Sequence, residues 1–258
     1  MFLFPLLTML ASSFKSTPEI GHTPPTLLPK TWTDVHWRAL FSRSSGVLPG
    51  ITNSILVGLA TAVLAMAVSV LAGLGLGRFR FRGAGLVFGV ILMGMMIPFT
   101  VLLTPLVVVM RKAGLDNSLV GLVLVYAVYQ LPFCVFVMRN AFAAIPRELE
   151  EAAYIDGCSR RSVVIRIFLP LVTPGIVTCM IFAFLNAWNE FLVALVLLSE
   201  QAKFTLPVLL LNIEMGRFGN IDWGILDAGI VASMVPCLLI FFLLQRYYVS
   251  GIFSGVSK

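Results

Sequence analysis

Residues 51–77 read ITNSILVGLATAVLAMAVSVLAGLGLG and decide the fold class, because no ionisable side chain interrupts them. A helical residue advances the chain by about 1.5 Å, so about 20 apolar residues cross a hydrocarbon core roughly 30 Å thick. Lipid offers the backbone no hydrogen-bond partner, whereas a helix satisfies its own amides and carbonyls. We therefore expect this stretch to be a transmembrane helix.

Four further stretches pass the same test, at residues 84–110, 118–138, 171–199 and 225–248. Residues 2–14 are apolar but too short to cross. We expect them to form the outer part of a first helix that is unusually short or begins before this sequence, and the apolar region of a signal peptide is the alternative. The prediction is one all-α, polytopic membrane domain over residues 1–258 with about six transmembrane helices.

The composition of the whole chain supports the same class. Hydrophobic residues make up 59% and charged residues 12% of the sequence, against about 25% charged residues in an ordinary soluble domain. Disorder requires low hydrophobicity, and the 21 glycines and 14 prolines follow no collagen-like period. The four cysteines form no C-x-x-C pair or Cys/His cluster, so neither a metal site nor a redox motif is predicted.

The net charge of +6 is interpreted as membrane topology and not as a nucleic-acid surface. No stripe of Lys and Arg interleaved with aromatic residues lies outside the apolar runs. The short connection 78–83 carries Arg78, Arg80 and Arg82 without an acid, and short basic loops favour the cytoplasmic side. Alternation then predicts that residues 139–170 and both termini are cytoplasmic, and that residues 15–50, 111–117 and 200–224 lie outside.

Polar residues cluster in the loop 139–170. A first short helix is predicted over 145–157, because Pro146 suits its first position, glutamates follow near the positive end of its dipole, and Gly157 suits a left-handed cap. Ser159 is predicted to cap a second short helix, which Pro170 ends at the membrane surface. On composition alone, these helices are also typical of an amphipathic loop resting on the membrane interface.

The spacing within this loop carries a more specific signal, E-A-A-x3-G-x9-I-x-L-P. The residues that match it are Glu151, Ala152, Ala153, Gly157, Ile167, Leu169 and Pro170. This signature resembles that of the permease subunits of bacterial ATP-binding-cassette (ABC) importers. The chain also resembles the second permease of maltose-type carbohydrate importers at Asn53-Ser54, at Trp188-Asn189-Glu190-Phe191 and at Thr205-Leu206-Pro207.

The resemblance implies a type I ABC importer transmembrane domain in a bacterial inner membrane. The E-A-A loop would be a cytoplasmic coupling helix, with Glu151, Ala152, Ala153 and Gly157 as the element that docks on an ATPase. The implied partners are a second permease, two ATPase subunits, an extracytoplasmic solute-binding protein, a carbohydrate and the bilayer, without nucleic acid.

No cofactor is expected on this chain, because the sequence contains no G-x-x-x-x-G-K-[ST] phosphate loop. ATP and Mg²⁺ are therefore expected on the partner ATPase subunits. The run Gly73-Leu74-Gly75-Leu76-Gly77 lies inside a predicted span. We interpret it as helix packing and not as a phosphate site.

A polar group lies inside the predicted span 171–199, and it comprises Asn186, Trp188, Asn189 and Glu190. Asn186 and Glu190 are four residues apart and would share a helix face. Ionisable residues in spans usually face a bundle interior or a wet cavity. We expect this group to line a translocation path, and hydrogen bonding between helices or subunits is the alternative.

Two other function classes fit less well. An intramembrane enzyme needs an acid/base or nucleophile constellation at membrane depth, whereas His22 and His36 both precede the first full span. A stand-alone secondary transporter normally shows internal repeats or several intramembrane charges, and within the predicted span 171–199 Glu190 alone is ionisable. The cargo stays open, since the same architecture would serve glycerol phosphate, a polyol or a peptide.

Overall fold

The computed structural model describes residues 4–22, 24, 26–42, 46–216 and 222–253, without the side chains of residues 241 and 243–253. Within these residues the regular structure is helical and contains no strand, so the predicted all-α class is confirmed. Residues 2 and 3 of the predicted partial helix lie outside the described residues. The α-helices are α1 (Phe4–Ser12), α2 (Thr17–Ile20), α3 (Val35–Leu40), α4 (Val47–Arg78), α5 (Ala84–Met93), α6 (Phe99–Lys112), α7 (Leu119–Ala143), α8 (Arg147–Ile155), α9 (Arg160–Val163), α10 (Leu169–Asn189), α11 (Leu192–Leu197), α12 (Leu206–Glu214) and α13 (Trp223–Phe253).

The chain divides into two compact units assembled from alternating segments. The first comprises Met1–Leu56, Asp116–Leu119 and Asn189–Leu243, and the second comprises Val57–Leu115, Val120–Trp188 and Leu244–Lys258. Because the segments interleave, no cut in the sequence separates the two units. That residues 1–258 act as one domain stays a prediction.

Four helical stretches of the described chain are long and apolar enough to cross a membrane. They are Val47–Arg78, Leu119–Ala143, Arg160–Asn189 and Trp223–Ile240. A fifth is counted if the bent pair Ala84–Met96 and Phe99–Lys112 is one span. The predicted spans 51–77, 118–138 and 225–248 are thus confirmed as helices, whereas α1 is too short to cross by itself.

The predicted span over residues 84–110 is helical but sharply bent. The two helical pieces meet at an angle of 101°. Ile97 is extended (φ −85°, ψ 118°) and Pro98 follows it with ψ 128°. The cause is local, because a proline lacks an N–H and its ring disfavours helical backbone at the residue before it.

The span predicted over 171–199 has different ends in the structure. Its helix begins at Arg160 and runs through a π-helical segment, Val164–Phe168, into α10. Pro170 therefore does not end the preceding helix as predicted. The Leu169 N–H bonds to the carbonyl of Val164, five residues earlier, and this wider turn accommodates a residue that has no N–H and whose ring crowds a regular helix.

Two glycines bring α4 into backbone contact with α7. A Cβ atom at Gly73 would lie 2.5 Å from the Met138 Cβ and 2.9 Å from the Arg139 nitrogen. A Cβ atom at Gly77 would lie 2.8 Å from the Arg139 carbonyl oxygen and 3.1 Å from the Phe142 Cβ. The interpretation of this glycine run as helix packing is confirmed, since small residues let two helix backbones approach closely in a membrane.

The segment before α4, predicted to lie outside, is folded. Glu19 accepts hydrogen bonds from the Lys30 N–H and the Thr26 hydroxyl, each at 2.9 Å. The Lys30 N–H is the main cause that lowers the pKa of Glu19. The buried His36 lies 3.2 Å, Nδ1 to Oδ1, from Asp222, whose carboxylate also accepts the first N–H groups of α13.

Connections predicted to share one side of the membrane contact one another. Asn117, with φ +47°, donates from its side chain to the Glu200 carboxylate at 2.7 Å and accepts from the Ser199 N–H at 3.1 Å. The bond to Lys203, and then the bond to Asn117, lower the pKa of Glu200. The predicted alternation puts residues 111–117 and 200–224 on the same side of the membrane. The contact of Asn117 with Glu200 also requires these two connections to lie on one side.

Candidate functional site

The predicted first loop helix is α8, and local capping sets its two ends. Pro146 is the N-cap residue (ψ 141°), one position before the predicted one, and Glu148 and Glu150 occupy the first turn. Gly157 has φ +78°, which confirms the predicted left-handed cap. The Cys158 N–H reaches the Ala153 carbonyl at 2.9 Å, as in a Schellman motif.

The E-A-A residues face two directions on α8. Ala153 is buried at 6% exposure, whereas Glu151 and Ala152 are exposed. Ile155, in the last turn, is 86% exposed, which is unusual for an isoleucine. One side of α8 therefore packs on the protein, and the other presents a carboxylate, a small residue and an apolar side chain.

The second half of the signature lies where the loop joins the membrane helix. The Ser159 hydroxyl oxygen accepts the Ser162 N–H at 3.3 Å, so its predicted capping role is confirmed. Ile167 belongs to the π-helical segment, and Leu169 and Pro170 begin α10. The I-x-L-P residues thus mark an irregular turn within one long helix.

Arg78, the last residue of α4, is a site residue that sequence reasoning missed. Its guanidinium donates to the Ile145 carbonyl at 2.8 Å and to Glu150 at 2.5 Å. Its Cζ atom lies 4.7 Å from the centre of the Phe168 ring, and the side chain is 7% exposed. The sequence shows a basic turn and an acidic helix, but no local pattern pairs residues so far apart.

Tyr154 completes the surroundings of Glu150. Its hydroxyl donates to the second oxygen of that carboxylate at 3.2 Å. Desolvation, followed by this hydrogen bond, raises the pKa of Tyr154. The phenol therefore stays protonated near neutral pH and remains a donor, so both oxygens of Glu150 are held.

A cavity of about 470 Å³ lies beside the contact of Arg78 with Glu150 and is lined by the end of α4, the turn before α8, and α8 itself. Its charged and polar lining comprises Arg78, Arg80, Arg147, Glu150, Glu151 and Tyr154. Mixed charges of this kind suit a protein side chain better than an apolar ligand. Within the part of the chain that the structure describes, no three His, Cys, Asp or Glu side chains are grouped to hold a metal.

The polar group of the predicted span 171–199 is split. Asn186 is exposed, and its amide donates to the Phe182 carbonyl of its own helix at 2.9 Å. Trp188 is 2% exposed and stacks on Phe184, with ring centres 5.9 Å apart. The tryptophan therefore lies in the core and not on an open surface, while Asn189 is exposed as the last residue of α10.

The prediction that Asn186 and Glu190 share a helix face is wrong, because α10 ends before Glu190. The Glu190 carboxylate instead accepts the Val193 N–H at 3.0 Å and the Ala194 N–H at 3.4 Å. Those amides lie in the first turn of α11 and would otherwise lack hydrogen-bond acceptors. Because its carboxylate caps the next helix, Glu190 favours an interruption of the helix between α10 and α11.

We expect Glu190→Ala to lower the thermal stability of the purified protein, because the start of α11 loses its acceptor at a cost of about 0.5–2 kcal/mol. Glu190→Gln keeps an oxygen for the same N–H groups and should melt close to the parent. Thermal unfolding of the two variants in detergent checks this. Equal melting of both variants and the parent would contradict the capping role.

The sequence of this chain matches a known protein family. Residues 69–254, more than half of the chain, match the family model described as "Binding-protein-dependent transport system inner membrane component". The chain belongs to this family. It is thus the membrane-spanning permease of a transport system, as the resemblance of the E-A-A loop predicted.

The permease is similar to curated proteins along nearly its whole length. It is 36% identical to the probable ABC transporter permease protein YurM of Bacillus subtilis, over 99% of this chain and 83% of YurM. It is also 36% identical to the sulfoquinovosyl glycerol transport system permease protein SmoH of Agrobacterium fabrum, over 99% of this chain and 89% of SmoH.

A solved structure shares its fold, namely a bacterial ABC transporter involved in the import of the acidic polysaccharide alginate. The TM-score is 0.82 at 22% identity, over 96% of this permease and 91% of that chain. The predicted fold, a type I ABC importer transmembrane domain, is confirmed.

Proposed function

We propose that residues 1–258 form one transmembrane domain of an ATP-driven, binding-protein-dependent importer of a sugar or oligosaccharide. The domain would pair with a second permease and alternate between outward and inward access. SmoH is named for sulfoquinovosyl glycerol and the alginate transporter for a polysaccharide, which supports a carbohydrate cargo. Asn186, Asn189 and Glu190 are the candidates for the path, with the buried Trp188 as their support.

The observation that carries the proposal is the geometry of α8. Its buried Ala153 seats the helix, while Glu151, Ala152 and Ile155 face outward. We infer that this outward face docks on an ATPase subunit, and that Gly157, Ile167, Leu169 and Pro170 set the shape of the loop that carries it. A carboxylate buried at such an interface requires an Arg or Lys partner, since an unpaired charge there is costly.

In this proposal, the loop 139–170 and both termini are cytoplasmic. The permease has no ATPase site of its own, and ATP and Mg²⁺ are bound by two partner ATPase subunits. A solute-binding protein delivers the cargo from outside. The basic connection after Arg78 supports this orientation, because short loops rich in arginine stay in the cytoplasm.

Purification of the tagged permease from gently solubilised native membranes tests the proposal. We expect an ATPase and a second permease to accompany the parent, and Glu151→Arg to lose the ATPase while keeping the second permease. The matched control is Glu214→Arg, the same charge reversal at an exposed residue near the end of α12. It should retain both partners.

Two results would overturn the proposal. One is recovery of the parent permease without an ATPase under conditions that preserve its fold. The other is retention of the ATPase by Glu151→Arg to the same extent as by the parent and the Glu214→Arg control.

A further inference from the structure

The inner end of α4 is tied to three other elements by the single side chain of Arg78. One nitrogen of the guanidinium donates to the Ile145 carbonyl, in the turn before α8, and another donates to Glu150 on α8. The flat face of the same group lies over the Phe168 ring, in the π-helical segment. Few side chains other than arginine offer two directed donors and a face that stacks on an aromatic ring.

The surroundings of this contact are closely packed. Met138 and Phe142 of α7 are fully buried, and α7 lies against the backbone of α4 at Gly73 and Gly77. Phe142 meets Phe168 edge to face, with ring centres 6.4 Å apart. Packed interiors transmit small displacements because they leave little free volume.

The contact leaves the docking face of α8 open. Glu150 and Glu151 are consecutive, so they point about 100° apart around the helix. Glu150 is held by Arg78 and Tyr154, whereas Glu151 is exposed. α8 is therefore anchored to α4 on one side and accessible to another protein on the other.

We propose that Arg78 is the positioning residue through which a displacement of α8 moves the inner end of α4, and thus the membrane gate. This inference rests on the proposed docking of α8 on an ATPase. Arg78 touches neither nucleotide nor cargo in this mechanism. Its two bonds and its stacking make α8 and the end of α4 move together, because a rotation of α8 that left α4 behind would strand a buried charge.

The test uses the whole importer, the permease with its partners, in proteoliposomes that contain the purified solute-binding protein. Three quantities are measured for each variant, namely the ATPase recovered with the permease, the rate of ATP hydrolysis and the rate of cargo uptake. For Arg78→Gln and Glu150→Gln, we expect full recovery of the ATPase. Cargo moved per ATP hydrolysed should fall at least about fivefold, the lower end of typical coupling between protein sites.

Matched variants separate coupling from folding. Arg82→Gln removes an arginine charge from the same basic turn, at an exposed position that does not line the cavity, and should leave the cargo moved per ATP hydrolysed unchanged. Arg78→Lys keeps the charge but loses the fork and the flat stacking face, so it should give an intermediate ratio. If Arg78→Gln fails to accumulate, two other variants test the coupling. Glu150→Gln leaves the guanidinium of Arg78 intact, and Arg78→Lys leaves its positive charge intact.

The outcomes distinguish this inference from the proposed function. An unchanged ratio of uptake to hydrolysis in assembled Glu150→Gln and Arg78→Lys complexes would overturn the role of Arg78 and leave the importer proposal standing. Absence of an ATPase from the parent complex would overturn the importer proposal itself. Equal losses in Arg82→Gln and Arg78→Gln would also overturn the inference, since the effect would then follow the basic charge of the turn.

Discussion

Gly73→Ala is expected to destabilise the permease, whereas Gly75→Ala in the same helix is expected to be neutral or slightly stabilising. A Cβ atom at Gly73 would meet the Met138 Cβ at 2.5 Å, the Met138 carbonyl carbon at 2.8 Å and the Arg139 nitrogen at 2.9 Å. Two of these atoms belong to the backbone of α7 and cannot rotate away. Apart from its chain neighbours and the backbone of α4 itself, no atom lies within 4 Å of the corresponding position at Gly75.

The magnitudes follow from these environments. Overpacking of a well-packed interior costs about 1–3 kcal/mol, and here the two helices must also separate. Alanine at an open helical position gains up to about 1 kcal/mol over glycine. The two variants differ by one methyl group at positions two residues apart, so thermal unfolding of the purified proteins compares them directly.

Gly77→Ala extends the comparison. Its Cβ atom would lie 2.8 Å from the Arg139 carbonyl oxygen, so we expect a loss similar to that of Gly73→Ala. Melting of Gly73→Ala and Gly77→Ala at or above the temperature of Gly75→Ala would show that α4 and α7 do not approach as described.

Asn53→Ala combined with Ser54→Ala is expected to release the segment around residues 202–206 from α4. The Asn53 amide donates to the carbonyls of Ala202 at 2.9 Å and Phe204 at 3.0 Å. The Ser54 hydroxyl oxygen accepts the Leu206 N–H at 2.8 Å. A buried group left without a partner costs about 1–3 kcal/mol, and the Leu206 N–H is buried, so the double variant should lose at least about 1–3 kcal/mol.

Thr52→Ala is the matched control for this prediction. Thr52 is exposed, and its hydroxyl donates to the Leu48 carbonyl of its own helix. Hydrogen exchange of residues 200–206 should rise in the double variant and stay at the parent level in Thr52→Ala. Unchanged exchange in the double variant would contradict the anchoring role of Asn53 and Ser54.

The structure also brings together two sequence patterns that lie far apart in the chain. Asn53-Ser54 and Thr205-Leu206-Pro207 each suggested a maltose-type permease, but nothing in the sequence linked them. In the fold, the first pair supplies the side chains and the second supplies the backbone N–H of Leu206 that Ser54 accepts.

The sequence by itself determined the features that depend on near neighbours. Apolar runs of sufficient length predicted the helices at 51–77, 118–138 and 225–248. In lipid the backbone N–H and carbonyl groups must hydrogen-bond within the segment, and a helix achieves this. Gly157 and Ser159 were predicted as caps, since capping needs one suitable residue within a few positions of the helix end. The spacing of the E-A-A loop predicted the family, because all the residues of that signature lie within one short segment of the chain.

Tertiary structure alone decided which distant residues meet. The pairing of Arg78 with Glu150 joins residues far apart in sequence, and the burial of Trp188 depends on Phe184 and the helices around it. The helix break at Glu190 arises where no proline or glycine marks it, because a carboxylate competes for the N–H groups of the next helix. Such contacts depend on which faces pack together, and an apolar span reveals little of this because lipid and protein interior select the same residues.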